Sequence, residues 1–249
     1  GTVTDMARIV LASGSPRRQE LLRRIGVAEF DVRVPEVEEY FPAGLTPEET
    51  VCYISREKSQ AVEAEEDEIV ITADTMVFLD DKKLGKPADE AEALAMLTAL
   101  QGHHHAVCTG VTVRQGGRAL TRAQRTEVYF RPASEAELRA YIAGGEPMDK
   151  AGAYGVQGQG ALLVERIDGD FFNVMGLPVL RLSRMLDVRL TDLKDSHRII
   201  ENGSPVHFYH GAAAHIAKVV LLEQDTLEPG QSGFAQLRFT EPVAVKRGD

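Results

Sequence analysis

A short strand that runs directly into a capped helix leaves a chain few ways to fold, and Leu11-Ala-Ser-Gly-Ser-Pro-Arg-Arg-Gln-Glu-Leu-Leu22 has that form. Ser15 is a favourable N-cap, and Pro16 suits the first helical position, where a missing N–H costs nothing. Arg17 and Arg18 then stand where the helix macrodipole already contributes about half a positive charge. A bound anion would offset that repulsion. Ser13 and Gly14 are small enough to let a ligand reach the backbone, so the segment reads as a phosphate or polyphosphate site. The competing reading is a solvated helix start carrying two surface arginines.

The balance of the chain decides what kind of anion is in question. Its formal charge is −10, which argues against a nucleic-acid partner, since non-specific binding needs a basic face. A polyanion must therefore be met by a local pocket. With 249 residues, 43% hydrophobic and 27% charged, the chain can bury a substantial core. No apolar run approaches a membrane span, and the N-terminus lacks the pattern of a signal peptide, so no membrane association and a cytoplasmic location are expected. Cys52 and Cys108 lie far apart without metal-site or redox spacing, and read as free buried thiols.

Beyond the first helix, which Gly26 closes, Phe30 to Val37 alternates as a strand and ends at Glu38 and Glu39. Thr46-Pro-Glu-Glu49 is a capping box that starts a second helix with the stripe Val51, Ile54, Ala61 and Val62. Lys58 falls on that stripe, either snorkelling or pointing into a cleft. Ile69 to Ala73 is a β-branched strand that continues to Leu79 and delivers Asp74 and Thr75, followed by a turn at Asp80-Asp81 and then Lys86. Asp89 caps a helix. His103, His104 and His105 read as a polar turn, because three adjacent histidines in a regular element cannot face one metal ion. Ala106 to Val113 and Leu120 to Phe130 form a hairpin, and Ser134-Glu-Ala-Glu137 caps a helix that stops at Gly144-Gly145. Ala161 to Ile167 and Phe171 to Val174 read as a second hairpin, and Gly176-Leu-Pro178 opens a last helix through Leu186.

Five segments carry a resemblance: Leu11 to Leu22, Ala73-Asp-Thr75, Gly85-Lys-Pro87, Asp149-Lys-Ala-Gly-Ala-Tyr-Gly-Val-Gln-Gly158 and Gly169-Asp-Phe-Phe-Asn-Val-Met-Gly-Leu-Pro178. In order and spacing they resemble the Maf (septum-formation) family from about Arg8 to Thr191. The resemblance implies an α/β fold like that of the inosine triphosphatases, an elongated mixed sheet with flanking helices around a central cleft. It also implies a nucleoside triphosphate pyrophosphatase that uses a divalent metal, Mg or Mn, and forms a homodimer. Arg17, Arg18, Lys58, Lys86 and Lys150, with Ser13, would bind substrate; Glu39 and Asp74 would hold the metal; and Asp74 would accept the proton of the attacking water or chiefly hold a metal whose bound water is already acidified. By the same resemblance Arg17, Thr75 and Gln157 mark the branch acting on dTTP and UTP. An uncharged amide can offer a donor and an acceptor to a pyrimidine edge.

The chain departs from that family after Thr191. Residues 1–191 are read as the pyrophosphatase domain, 192–204 as a polar linker and 205–249 as a short all-β appendage, with His207 to Leu222 and Phe234 to Val243 as strands about a Pro229-Gly230 turn. Pro205-Val-His-Phe-Tyr-His-Gly211, Leu227-Glu-Pro-Gly230 and Ala235-Gln-Leu-Arg238 resemble part of the third, β-barrel domain of the selenocysteine-specific elongation factor. No GTP-binding phosphate loop accompanies them. The alternative function is a translation-associated, RNA-binding adaptor or a nucleotide sensor without turnover.

Overall fold

A computed structural model describes residues 8–186 and the backbone of 188–190, 200–201, 205–210, 213–221, 226–227 and 233–239. The chain divides into two compact units, Gly1–Val179 and Leu180–Asp249, a division that falls earlier than the 191/192 boundary read from the sequence.

The first unit is α/β, built on a seven-stranded mixed sheet. Strand β1 (Ile9–Leu11) leads through Ser15 into helix α1 (Pro16–Arg24), and the Ser15 hydroxyl accepts the Arg18 N–H as an N-cap. Strand β2 (Asp31–Val32), helix α2 (Pro47–Gln60), the long strand β3 (Ile69–Leu79), strand β4 (Lys82–Leu84) and helix α3 (Glu90–Leu100) follow. Then come β5 (His104–Gln115), β6 (Arg118–Phe130), α4 (Glu135–Ala143), β7 (Val164–Asp168), α5 (Phe171–Met175) and α6 (Val179–Leu186), the last spanning the division between the units. The strand order is β2-β1-β3-β5-β6-β7, with β4 added to β3; β2 and β3 run parallel to β1 and all other pairs are antiparallel. Both predicted capping boxes form, at Thr46–Glu49 and Ser134–Glu137.

Two cores flank the sheet. On one face α2 packs Val51 and Ile54 against Met76, Phe78, Ala106 and Cys108. On the other, Val77, Val107 and Val128 meet Leu97 of α3 and Leu138 of α4. The side of β3 opposite β5 pairs with β1 at Ile69–Ile71 and with β4 at Val77–Leu79. Residues 72–76 between them, Asp74 and Thr75 included, have no described strand on that side.

Several sequence expectations are corrected. The strand expected over 30–37 shrinks to Asp31–Val32, because β1 offers only three residues to pair with and Pro35 lacks an N–H. The three histidines do not form a polar turn: His104 and His105 open β5, opposite Tyr129 and Val128. The second hairpin is replaced by β7 and a helix, because Asp170 accepts the N–H groups of Phe172 and Asn173 and caps α5. Strand β4 joins the sheet beyond the elements expected from the sequence.

In the second unit, β8 (Val188–Leu190), β10 (Pro205–His210), β11 (Ala213–Leu221) and β13 (Gly233–Phe239) form an antiparallel sheet in the order β10-β11-β13-β8, while β9 (Ile200–Glu201) pairs with β12 (Thr226–Leu227). The span 207–222, read as one strand, holds parts of two strands paired antiparallel, with His210 opposite Ala213. Ile200–Glu201 is strand within the stretch read as linker; the rest of 192–204 and the Pro229-Gly230 turn lie outside the described residues.

Helix α2 lies unusually near β5. A Cβ placed on Gly110 would collide with the Val51 carbonyl, so only glycine fits. Gly110→Ala is expected to lower unfolding free energy by about 3 kcal/mol in urea titrations. Gly117→Ala, where the added methyl meets nothing within 4 Å, should stay within about 0.5 kcal/mol of the parent.

Candidate active site

A cleft of about 310 Å³ opens at the break in β3. Asp74 and Thr75 are consecutive in a strand and so point to opposite faces of the sheet, yet both line it, because it lies at the sheet's edge. Of the site residues expected from the sequence, all but Ser13 and Gln157 line the cleft. Ser13 is buried and accepts a hydrogen bond from Arg18 Nη1 (3.3 Å). Gln157 is exposed, next in the chain to Val156, which does line it.

The position of α2 places the central pair. Ser55 donates to Thr112 Oγ1 (2.8 Å), and Thr72 donates to the Ser55 carbonyl (2.8 Å), stitching the helix to the sheet through small polar side chains. Lys58 follows one turn later on the same stripe and puts its Nζ 2.8 Å from Asp74 Oδ1 and 3.3 Å from Glu39 Oε1. Asp74 is 4% exposed, and its second oxygen, Oδ2, is buried without a hydrogen-bond partner. One carboxylate oxygen is thus fixed while the other keeps its acceptor capacity unused.

Arg18 does more than face an anion. Its Nε donates to the Gly176 carbonyl (2.7 Å) and its Nη2 to Thr75 Oγ1 (3.0 Å), and the Thr75 and Thr109 hydroxyls share a hydrogen bond of 2.8 Å. Burial pulls the guanidinium's pKa below its ordinary value, with the Asp74 charge opposing that shift. Gly176 is held in turn by the buried Asn173, whose amide nitrogen donates to the Val107 and Gln124 carbonyls and to Thr126 Oγ1. Sequence reasoning assigned no role to Asn173, Gly176 or Thr109; for the first two the only signal was the Gly169–Pro178 segment itself. Lys150 bonds to Asp149 Oδ1 (2.8 Å), whereas Arg17 and Lys86 make no hydrogen bond or ion pair with a described residue. Five cations and three carboxylates line the cleft, so it is positive within an acidic protein.

The rest of the lining is largely apolar, with Val77, Val107, Val156, Val174 and Tyr154. The Tyr154 hydroxyl shares a 2.7 Å hydrogen bond with His105 Nε2, and both rings pack edge-on against Phe130. Burial lowers the His105 pKa to about 4, and raises that of Tyr154, so both are neutral near pH 7. Burial also pushes the Cys108 thiol up to about 12, which makes it an inert core residue.

For a metal ion, no group of three His, Cys, Asp or Glu is suitably arranged among the described residues. Glu39 and Asp74 supply carboxylates in one cleft, and Asp74 Oδ2 has free acceptor capacity, so the donor set fits a hard cation that keeps further oxygen ligands of its own.

The family model for Maf-like protein matches residues 8–189. The chain belongs to that family. A second model, the beta-barrel domain of the selenocysteine-specific elongation factor, matches residues 187–249. Among curated relatives, a dTTP/UTP pyrophosphatase of Bacillus cereus (strain ATCC 10987 / NRS 248) is 48% identical over 183 residues, covering 73% of this chain and 90% of the relative. Another of the same description, from Bacillus anthracis, is 47% identical over 182 residues, covering 73% of this chain and 95% of the relative. The solved structure of a HAM1 protein from Coxiella burnetii aligns with 73% of this chain and 98% of its own at 15% identity and a TM-score of 0.39, a likeness too slight to bear on the site.

The buried imidazole makes stability depend on pH. Its folded pKa lies below the unfolded value of about 6.5, so the unfolded chain binds the extra proton, and stability is full above that value and lost as pH falls towards 4. Between pH 7.5 and pH 5 the loss due to His105 should be about 2 kcal/mol. Urea unfolding of His105→Gln at both pH values should show a pH dependence smaller by that amount.

Proposed function

We propose that this chain is a nucleoside triphosphate pyrophosphatase that acts on dTTP and UTP, releasing the nucleoside monophosphate and pyrophosphate. The observation that carries the reading is Asp74: a buried carboxylate, one oxygen held by Lys58 and the other without a partner, at the edge of a cleft lined by Arg17, Arg18, Lys86 and Lys150. The names of the Bacillus relatives support the same activity and the same two nucleotides.

In this reading the triphosphate lies along the cationic wall. Arg17 and Lys86, whose side chains make no hydrogen bond or ion pair with a described residue, take the phosphate oxygens, while Lys150 exchanges its contact with Asp149 for substrate. Arg18 keeps Thr75 and the loop at Gly176 in place and adds charge to the same wall. A water between Asp74 Oδ2 and the α–β linkage loses its proton to that oxygen as it attacks, the phosphoanhydride bond breaks, and the negative charge left on the departing pyrophosphate is met by the cations. A divalent metal, Mg or Mn, held by Glu39 and Asp74, would supply charge neutralisation and an acidified water. The apolar lining with Tyr154 receives the base, and Gln157 completes its recognition from the loop beyond Val156.

Two measurements test this. Asp74→Asn should reduce turnover by about 10²–10⁴-fold, while calorimetry shows nucleotide binding retained; a variant that still turned over at the parent rate would exclude Asp74 as proton acceptor. In a panel of nucleoside triphosphates, pyrophosphate should be released from dTTP and UTP faster than from ATP or GTP. Equal rates on all four would remove the pyrimidine preference and leave the reaction class.

A further inference from the structure

Lys58 stands between Glu39 and Asp74, two of the three carboxylates that line the cleft. Its ammonium contacts Asp74 Oδ1 at 2.8 Å and Glu39 Oε1 at 3.3 Å, and its side chain is only 19% exposed. The carboxylate oxygen left buried without a partner is Asp74 Oδ2, a single donor, and the described residues offer no third metal-binding side chain. With the ammonium between Asp74 Oδ1 and Glu39 Oε1, a hard divalent ion gains little from the oxygens left to it, because it is reluctant to give up its water and is ordinarily held by one or two carboxylates together with substrate phosphates. Nor does the ammonium leave unaided. Withdrawing one partner from a buried ion pair leaves the other with an uncompensated charge.

We propose that Lys58 is the counter-ion that keeps the Glu39–Asp74 pair closed to divalent cations in the free protein, and that a nucleotide opens the pair by offering phosphate oxygens to Lys58 and to the cation at once. This rests on the nucleotide-hydrolysing reading of the cleft and adds an order of events: cation and nucleotide enter together, and the protein alone holds no tight cation. The lysine is then a positioning residue for the carboxylates before substrate arrives and a phosphate ligand afterwards. Its sequence position on the inward stripe of α2 serves both.

The test is Mn²⁺ titration of the full chain, with free Mn²⁺ followed by electron paramagnetic resonance. The parent protein should bind Mn²⁺ weakly alone and much more tightly once the non-hydrolysable α,β-methylene analogue of UTP is present. Lys58→Met keeps the length of the side chain and removes its charge, so it should bind Mn²⁺ without nucleotide at least about tenfold more tightly than the parent. Adding Asp74→Asn to it should abolish the gain. If Lys58→Met does not fold, Lys58→Gln replaces it. Tight Mn²⁺ binding by the nucleotide-free parent, or no gain in the folded lysine variant, would overturn the proposal. Pyrophosphate release from UTP by the parent is measured separately: its absence would sink the functional reading, whereas the nucleotide-free Mn²⁺ comparison reports on Lys58 alone.

Discussion

Everything at the cleft depends on how closely helix α2 is allowed to approach the sheet. Gly110 leaves no side chain under the Val51 carbonyl, and Ser55, Thr72 and Thr112 fill the contact with short hydroxyl groups that satisfy one another. A helix seated higher would carry the same residues but start Lys58 farther from Asp74. The packing of a helix is therefore also the placement of a charge. Such a buried pair is a weak source of stability, because desolvation offsets most of the attraction. Its value here is geometric: it fixes which carboxylate oxygen is engaged and which is open.

A second layer of support reaches the cleft from the far end of the domain's sequence. Asn173, wholly buried, spreads one amide group over two carbonyls and a hydroxyl and so bolts α5 to β5 and β6. That bolt delivers the Gly176 carbonyl to Arg18, and Arg18 reaches on to Thr75. Residues 158 positions apart in the chain are thereby held in one hydrogen-bonded line. The positive face of the cleft is in this sense preorganised, with Arg17 and Lys86 the groups still uncommitted among the described residues.

Local signals were the legible part of the sequence. Caps announce themselves, and the helices starting at Pro16, Pro47, Glu90 and Glu135 begin where Ser15, Thr46, Asp89 and Ser134 say they should. The long strands through Asp74 and around Gly116 were equally plain from their β-branched content. What failed was decided by partners far away in the chain. Histidines 104 and 105 look polar, yet a strand opposite and a tyrosine hydroxyl make a buried place for one of them. Phe171 to Val174 has strand-like composition, but a single aspartate at its start turns it into helix. For the site, charge at odd places was readable, so Arg17, Arg18, Lys58 and Lys86 could be named. Backbone acceptors such as the Gly176 carbonyl carry no sequence signature, which is why the restraint on Arg18 could not be foreseen.

The cleft owes its existence to strands that stop short. Between the end of β1 and the end of β4, one margin of β3 has no described strand beside it, and the chain sets Asp74 and Thr75 there. A molecule bound at that margin would meet sheet backbone that no described strand covers, as well as side chains. Ser15, Glu39 and Lys86, which also border the opening, come from connecting segments and belong to neither of the hydrophobic layers on the sheet's two faces. Its width can drift through changes at those rims without disturbing the two layers, so a scaffold of this kind can keep Asp74 in place while the mouth around it is reshaped.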